Sequence, residues 1–322
     1  MDGEARDRSP GLGRHPCLPA DAVQGGGRGM TSPDLELARG YNACGRIVKS
    51  RARNFWYGLR LTPEPKRSAL YAIYAWMREA DDIADEAGST LEARRLRLDG
   101  FRARTHRVFL GDVDSDPWWR AFGDTVQRYD LVQTPFDAML DGQDADLSWT
   151  TCPDRSVLER FCWQVASTVG LICVRIWGHD EGPEVDRMAI DRGKAFQLTN
   201  IIRDLREDRQ RGRTYLPADE IEAAGLDVDG LLAWRDPARC SDFVRSQVAH
   251  AEAYFRASAG LDAHLNVECR ATSWAMTQIY HELLQRIDRD PSRIVRERVG
   301  LGSIRKMTIA WQARRLARGV AS

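Results

Sequence analysis

From residue 34 to residue 318 apolar positions recur at intervals of three and four, with no sustained period-two alternation and no Asn-Gly hairpin turn. The pattern predicts helices over about 34–50, 65–87, 90–109, 117–129, 134–146, 155–178, 184–209, 238–260, 266–288 and 301–318. Thr62-Pro63 and Pro65 supply a start signal for the second, because proline is tolerated in a first turn. Gly178 and Pro183 bracket a turn between two long apolar helices, and Arg211-Gly212-Arg213 with Pro217 stop the helix before them. No linker or repeat divides the chain after residue 31. The expectation is an all-α single large helical bundle over 32–322 with a central cavity between facing helices.

Two places break the apolar rule. Asp81-Asp82-Ile83-Ala84-Asp85 ends the apolar run Leu70 to Met77, and Gln197 to Asp208 carries Asn200, Asp204 and Asp208 beside Leu198, Ile201, Ile202 and Leu205. At about 100° per residue, Tyr74, Arg78, Asp81 and Asp85 share an arc of roughly 60°, and Gln197, Asn200, Asp204 and Asp208 one of roughly 80°. An acidic i,i+4 pair ordinarily decorates a solvated face. Two oxygen-rich stripes, each with an arginine (Arg78, Arg203) and each beside an apolar stripe, read better as a site, since an unpaired carboxylate among apolar side chains is costly. Facing each other, they would make an oxygen-lined acidic site for Mg²⁺ and, through it, for a diphosphate. Mg²⁺ there would neutralise the diphosphate and improve it as a leaving group.

Arginines complete a diphosphate clamp through bidentate contacts. Besides Arg78 and Arg203, the candidates are Arg51, Arg53, Arg213 and Arg298; Tyr74 and Tyr280 could donate a hydrogen bond or stabilise a cation. Ionising a diphosphate away from carbon leaves a carbocation, which needs a dry, aromatic-faced pocket; Phe55, Trp56, Trp163 and Phe196 are the candidate lining. Gly170 in mid-helix marks a close backbone approach, a kink or tight helix packing.

Composition narrows the partners. Lys+Arg and Asp+Glu both number 47, so there is no electrostatic footprint for nucleic acid. Seven scattered cysteines without a C-x-x-C pair argue against a disulfide framework or a zinc site and for a cytoplasmic location. No stretch reaches the roughly eighteen uncharged apolar residues expected of a transmembrane segment, which leaves a protein that is at most peripheral to the membrane. Residues 1–31, rich in Gly, Pro, Arg and Asp, are expected to be a disordered N-terminal extension; the segment has no apolar core for a secretory signal, and its acids suit a transit peptide badly. Its glycine run precedes no strand–helix unit, so a phosphate loop is not expected there. Met30, just before the helix start Thr31-Ser32-Pro33, is an alternative initiator.

Tyr71 to Glu86 (YAIYAWMREADDIADE), Ala195 to Pro217 (AFQLTNIIRDLREDRQRGRTYLP) and Val165 to Leu171 (VASTVGL) together resemble the squalene/phytoene synthase family. Asp141 to Leu147 matches that family's acidic helix in order, and Phe55-Trp56-Tyr57 falls at its aromatic substrate segment; the resemblance runs from about 40 to 315. It implies the isoprenoid (terpenoid) synthase fold and an Mg²⁺-dependent head-to-head (1′-1) condensation of two prenyl diphosphates through a cyclopropyl diphosphate, using two or three Mg²⁺ ions. By motif position, Asp81 and Asp85 resemble the first metal-binding aspartates and Asn200, Asp204 and Asp208 the second set. Arg78, Tyr74, Gln197, Arg203 and Tyr280 fall where the family contacts diphosphate or the cyclopropyl intermediate, with Arg53 and Arg213 further substrate-binding candidates and Asp82 in support. The chain departs from the pattern at Arg51-Ala52-Arg53-Asn54, where small hydroxyl or histidine residues are usual, and at Asp141-Gly142 in place of Glu-Gly.

The segments resemble bacterial squalene-pathway members somewhat more than carotenoid enzymes. The expected substrate is therefore farnesyl diphosphate (C15), giving presqualene diphosphate or squalene, with NADPH required if the reaction proceeds to squalene. The alternative is a phytoene synthase joining two geranylgeranyl diphosphates (C20). A terpene cyclase and a non-catalytic scaffold are remoter; the Arg203 to Pro217 segment argues against the first, the intact aspartates against the second. A peripheral membrane contact for product release is the remaining expectation on partners.

Overall fold

The computed structural model describes residues 32–52, 55–86, 88–113, 115–180 and 182–319. The expected disorder of 1–31, and Arg53, lie outside the described residues. The chain builds α1 (Ser32–Arg51), α2 (Phe55–Leu59), α3 (Lys66–Ala84), α4 (Leu91–Phe109), α5 (Pro117–Arg128) and α6 (Thr134–Leu147). Next come β1 (Thr151–Cys152), α7 (Arg155–Cys162), a π-helical turn (Trp163–Ser167) and α8 (Thr168–Trp177). α9 (Pro183–Arg203), α10 (Leu205–Gln210), β2 (Thr214–Pro217), α11 (Ala218–Ala223), α12 (Val228–Leu232) and α13 (Pro237–Ala257) follow. The last elements are α14 (Leu261–His264), α15 (Val267–Arg289), α16 (Arg293–Arg296) and α17 (Ser303–Gly319).

Local signals set the helix ends. Thr90, Asp116, Asp154 and Asp236 each accept a backbone N–H in the first turn of α4, α5, α7 and α13, and Pro117 and Pro237 sit where a first-turn N–H is not needed. α3 is apolar nearly all round because Trp76 lies at the centre of one core. Its ring stacks on Phe122 at 5.8 Å and meets Phe136 edge-on, while its Nε1 donates to Thr105 Oγ1 at 3.0 Å. That core joins α1, α3, α5 and α6; a second joins α7, α9, α13 and α15, and Phe55 and Phe196 pack against both. The cavity lies between them.

Two features are absent from the sequence pattern. β1 and β2 form a parallel pair, Thr151 against Thr214, which residues sixty apart in the chain could not announce by periodicity. The helix predicted over 155–178 is interrupted by the π-helical turn, a device frequent at functional sites.

One helix bears on the expectation of no transmembrane segment: among the described residues Arg155–Trp177 is long and apolar enough to cross a membrane by length and composition, though it carries Arg155, Glu159, Arg160 and Arg175 toward its ends. Only 39% of its apolar window is buried, and Phe161, Val165, Val169, Cys173 and Trp177 line the cavity. Its hydrophobicity thus serves an internal hollow. None of the six described cysteines forms a disulfide.

Gly170 and Gly193 let this wall and α9 touch. A Cβ on Gly170 would stand 2.8 Å from the Ala189 carbonyl oxygen, and one on Gly193 2.5 Å from Ser167 Cα. Ser167 Oγ donates to the Ile190 carbonyl at 2.7 Å across the same crossing. Gly170 therefore marks close packing. Gly193→Ala should lower unfolding stability by about 1–3 kcal/mol, the usual cost of overpacking. Gly100→Ala, exposed in mid-α4 with nothing near its Cβ, should raise it by up to about 1 kcal/mol. Urea denaturation of both variants checks this; equal effects would contradict the close crossing.

Candidate active site

The cavity is about 470 Å³ and has two parts. Its mouth is lined by Arg78, Asp81, Asp85, Gln143, Asp146, Asp204, Asp208, Arg211 and Arg213; its body is mostly apolar, with Arg192 and Ser273 also on its wall.

α3 and α9 deliver the two acidic sets the same way. Asp81 and Asp82 occupy the last turn of α3 and Asp85 is its C-cap; Asp204 is the C-cap of α9. The helix dipole is negative at a C-terminus, so carboxylates there are disfavoured twice, by the dipole and by one another. Asp204 ends α9, yet its N–H bonds the Asn200 carbonyl at 2.8 Å and the Asp208 N–H bonds the Asp204 carbonyl at 2.9 Å, so the ladder and the predicted stripe continue.

Arginines answer the charge. Arg78 pairs with Asp82 and lies 3.9 Å from Asp81. Arg213 Nη1 bridges Asp85 at 3.1 Å and Asp146 at 2.9 Å, tying α3 to α6; Arg211 reaches Asp85 at 3.4 Å. Arg298 grips both oxygens of Asp204, at 2.9 and 3.1 Å, and Arg203 adds a second fork at its side. Burial alone would push the Asp204 carboxyl up, but the two guanidinium groups hold it below its usual value.

The remaining acids are not so answered. Burial, with Asp85 and Asp82 nearby, pushes the Asp81 carboxyl up to about 7, although Arg78 and the Gln143 amide (2.7 Å) oppose it. The third of the Asp81 side chain left open faces the cavity. Burial and then Asp204 push Asp208 up to about 7 as well. Asn200 bonds the Tyr280 hydroxyl, yet its Oδ1 is buried without a partner. An orphaned buried amide oxygen beside two carboxyls pushed up to about 7 is a donor set that a hard cation would suit.

The residues fit a metal of one kind. Among the described residues no three His, Cys, Asp or Glu side chains converge closely enough to cage an ion alone. Mg²⁺ is ordinarily held by one or two carboxylates with the remaining positions filled by water and phosphate, which two separated aspartate sets across a cleft would supply. Asp81, Asp85, Asn200 and Asp208 are available for this, and Asp204 once Arg298 moves to an anion.

Other predicted residues divide. Tyr74 and Gln197 line the cavity, and burial pushes the Tyr74 hydroxyl up to about 12, so it stays a donor. Arg203 lines it too, 6% exposed. Tyr280 is one layer back, its ring stacked on Phe196 at 4.4 Å and tilted against Phe55 at 5.4 Å; burial pushes its hydroxyl up to about 12. Phe55 and Phe196 line the cavity, whereas Trp56, stacked on Tyr71, and Trp163 do not. Asp141 is exposed and pairs with Arg102 at 2.8 Å.

Gln143, Asp146 and Tyr215 went unpredicted. Met139, Gln143 and Asp146, spaced four and three, all line the cavity and form a stripe that helical spacing on α6 makes legible. Asp146 also accepts from the Tyr215 hydroxyl. Only the β1–β2 pairing puts Tyr215 and Arg213 there, with Thr214 N–H bonded to the Thr150 carbonyl at 2.8 Å and Trp149 Nε1 to the Thr214 carbonyl at 3.1 Å.

The squalene/phytoene synthase family pattern matches residues 48–305. The chain is 34% identical over 278 residues to a phytoene synthase of Mycobacterium tuberculosis, covering 85% of this chain and 90% of that one. Its fold superimposes on a dehydrosqualene synthase crystallised with a ligand, with a TM-score of 0.80 and 25% identity over 89% of this chain and all of that one. A squalene synthase of Alicyclobacillus acidocaldarius gives 0.73 and 25%, over 79% and 95%.

The raised carboxyls fix a pH response. Between about pH 4 and pH 7 the cation-free fold holds protons on Asp81 and Asp208 that the unfolded chain has released, so these two groups make stability fall as pH rises through that window. A cation that takes the deprotonated form should restore it. Mg²⁺ is expected to raise the thermal midpoint more at pH 8 than at pH 6; an equal shift at both values, or none, would count against cation binding here.

Proposed function

The chain belongs to the squalene/phytoene synthase family and is a head-to-head prenyltransferase, and on that premise we propose that it joins two geranylgeranyl diphosphates to a C40 product. The substrate choice rests on relatives named phytoene synthase, including those of Mycobacterium tuberculosis and, at 31% identity, Synechococcus elongatus. Farnesyl diphosphate, expected from the motif segments, is the second reading; the dehydrosqualene and squalene synthases of like fold favour it. NADPH would enter only if a C30 product is reduced to squalene.

The single observation carrying the chemistry is the mouth itself, two carboxylate sets with spare oxygens around a ring of arginines, opening into an apolar cavity. Asp81, Asp85, Asn200, Asp204 and Asp208 would hold Mg²⁺, which when bound neutralises the diphosphate and makes it a better leaving group. Arg78, Arg211 and Arg213, already at the mouth, would take phosphate oxygens, and Arg203 and Arg298 would follow when released from Asp204. Tyr74 would donate a hydrogen bond to the same anion. Phe55 and Phe196 would turn ring faces to the developing carbocation, with Tyr280 stacked behind, while the α7–α8 wall keeps water out.

Incubation with labelled C15 and C20 diphosphates and Mg²⁺, with and without NADPH, tests the reading. A C40 product is expected; a C30 product selects the second reading, and monomeric alcohols alone would leave a cyclase. Asp81→Asn and Asp204→Asn should each cut turnover by more than about a hundredfold with the helical circular dichroism unchanged. Near wild-type rates in either would remove the metal assignment.

A hydrocarbon of this size leaves into a bilayer, so we place the protein in the cytoplasm, peripheral to the membrane. In support, Ile304, Met307 and Trp311 are exposed on one face of α17, a helix with basic residues and no acidic ones. Flotation with anionic vesicles should carry the protein up, and Ile304→Ser with Trp311→Ser should abolish this; unchanged flotation would exclude α17 as the contact.

A further inference from the structure

The end of the cavity remote from the aspartates holds a charge that hydrocarbon binding does not call for. Arg192 lines the cavity yet is only 6% exposed. It lies twelve residues before Asp204 on α9, roughly 18 Å along the axis. Its Nε donates to Ser258 Oγ at 2.9 Å and its Nη2 to the Ser258 carbonyl; its Nη1 donates to Thr277 Oγ1 and lies 3.5 Å from Asp262 Oδ1. Asp262 in turn accepts from Ser273 Oγ at 2.6 Å, and Thr277 Oγ1 donates to the Ser273 carbonyl at 2.9 Å. Thus α9, the C-cap of α13, α14 and α15 are tied at one point. Ser273 and Leu261 of this knot also face the cavity. Next to Arg192, Gly193 is pressed on the backbone of Ser167, so α9 cannot slide there.

Given the prenyltransferase reading, we propose that the Arg192–Asp262 knot is the floor of the prenyl channel and sets the longest chain the enzyme accepts. An apolar side chain at such a floor can change rotamer to admit another isoprene unit. A guanidinium held on four acceptors cannot, because moving it would leave its own donors buried and unpaired and would take its charge partner from Asp262. The hydrogen bonds are spent within the wall, so the floor offers a hydrocarbon tail a rigid stop. Arg192 acts here on specificity, remote from the reacting atoms.

The test uses the full chain with geranyl, farnesyl, geranylgeranyl and geranylfarnesyl diphosphates. The double variant Arg192→Ala/Asp262→Ala removes both charges together and deepens the floor. The ratio of kcat/KM for the homologue one unit longer than the preferred substrate, over the preferred one, should rise at least about tenfold, the low end of hydrophobic-pocket discrimination. The Mg²⁺ dependence should not move. A folded double variant with an unchanged ratio overturns the proposal, whatever its overall rate. Should the double variant not fold, Arg192→Lys decides: it keeps a charge for Asp262 but is shorter and lacks the fork. A raised ratio then supports the floor and an unchanged one overturns it. If the wild type converts none of the four substrates, the assigned reaction fails separately. Tryptophan-fluorescence titration with the same series then reads the floor through binding, with the same two outcomes.

Discussion

Carboxylates at the C-terminal ends of two helices govern this structure. The dipole of α3 and that of α9 both point their negative ends at the mouth of the cavity, and the chain adds Asp81, Asp82, Asp85 and Asp204 to them, with Asp208 one turn on in α10. Such an arrangement folds only if cations come to it. Arg78, Arg203, Arg211, Arg213 and Arg298 do so from four separate parts of the chain, and the residue of unanswered charge appears as two raised carboxyls and one orphaned amide oxygen. The site is therefore poised rather than satisfied. Arginines that now neutralise aspartates are the same groups suited to grip a diphosphate, so arrival of cation and anion together can exchange one set of pairs for another at little cost in unpaired charge.

The rest of the molecule keeps that polar mouth apart from a dry interior. A helix run apolar enough for a bilayer lines an internal hollow, a surface suited to a ligand that is itself hydrocarbon. The two glycines at the crossing of this wall with α9 hold backbones in contact. Because the acids lie at one end of α3 and α9 and the apolar lining continues toward their N-termini, one pair of helices provides both the charged entrance and the length of the channel. At the far end polarity returns, but as a closed network with its bonds directed inward. Charge at the mouth is available to a ligand; charge at the floor is consumed by the wall.

Much of this was legible without coordinates. The period of the apolar pattern gave the long helices, since which residues share a face depends only on the local 3.6-residue turn. The same arithmetic placed Tyr74, Arg78, Asp81 and Asp85 on one stripe and Gln197, Asn200, Asp204 and Asp208 on another, and all eight line the cavity. The paired motifs pointed to the family on the same residues. Short elements and the π-helical turn escaped, because four or five residues carry too little periodicity to register.

What the sequence could not determine was which faces meet. Arg213 and Asp146 are 67 residues apart and Arg298 and Asp204 are 94, and nothing in either local pattern pairs them. Arg213 owes its place to two strand residues against β1, and Tyr280, predicted at the site, is held one ring behind it by Phe196. Arg192 shows the limit most plainly. In the sequence it is one arginine among many on a helix, and only the meeting of α9, α13, α14 and α15 makes it a buried floor. Periodicity is a property of neighbours along the chain and is fixed by the order of the residues. The partner of a charge is fixed by long-range packing, where burial decides which ion pairs must form and which oxygens are left for a ligand.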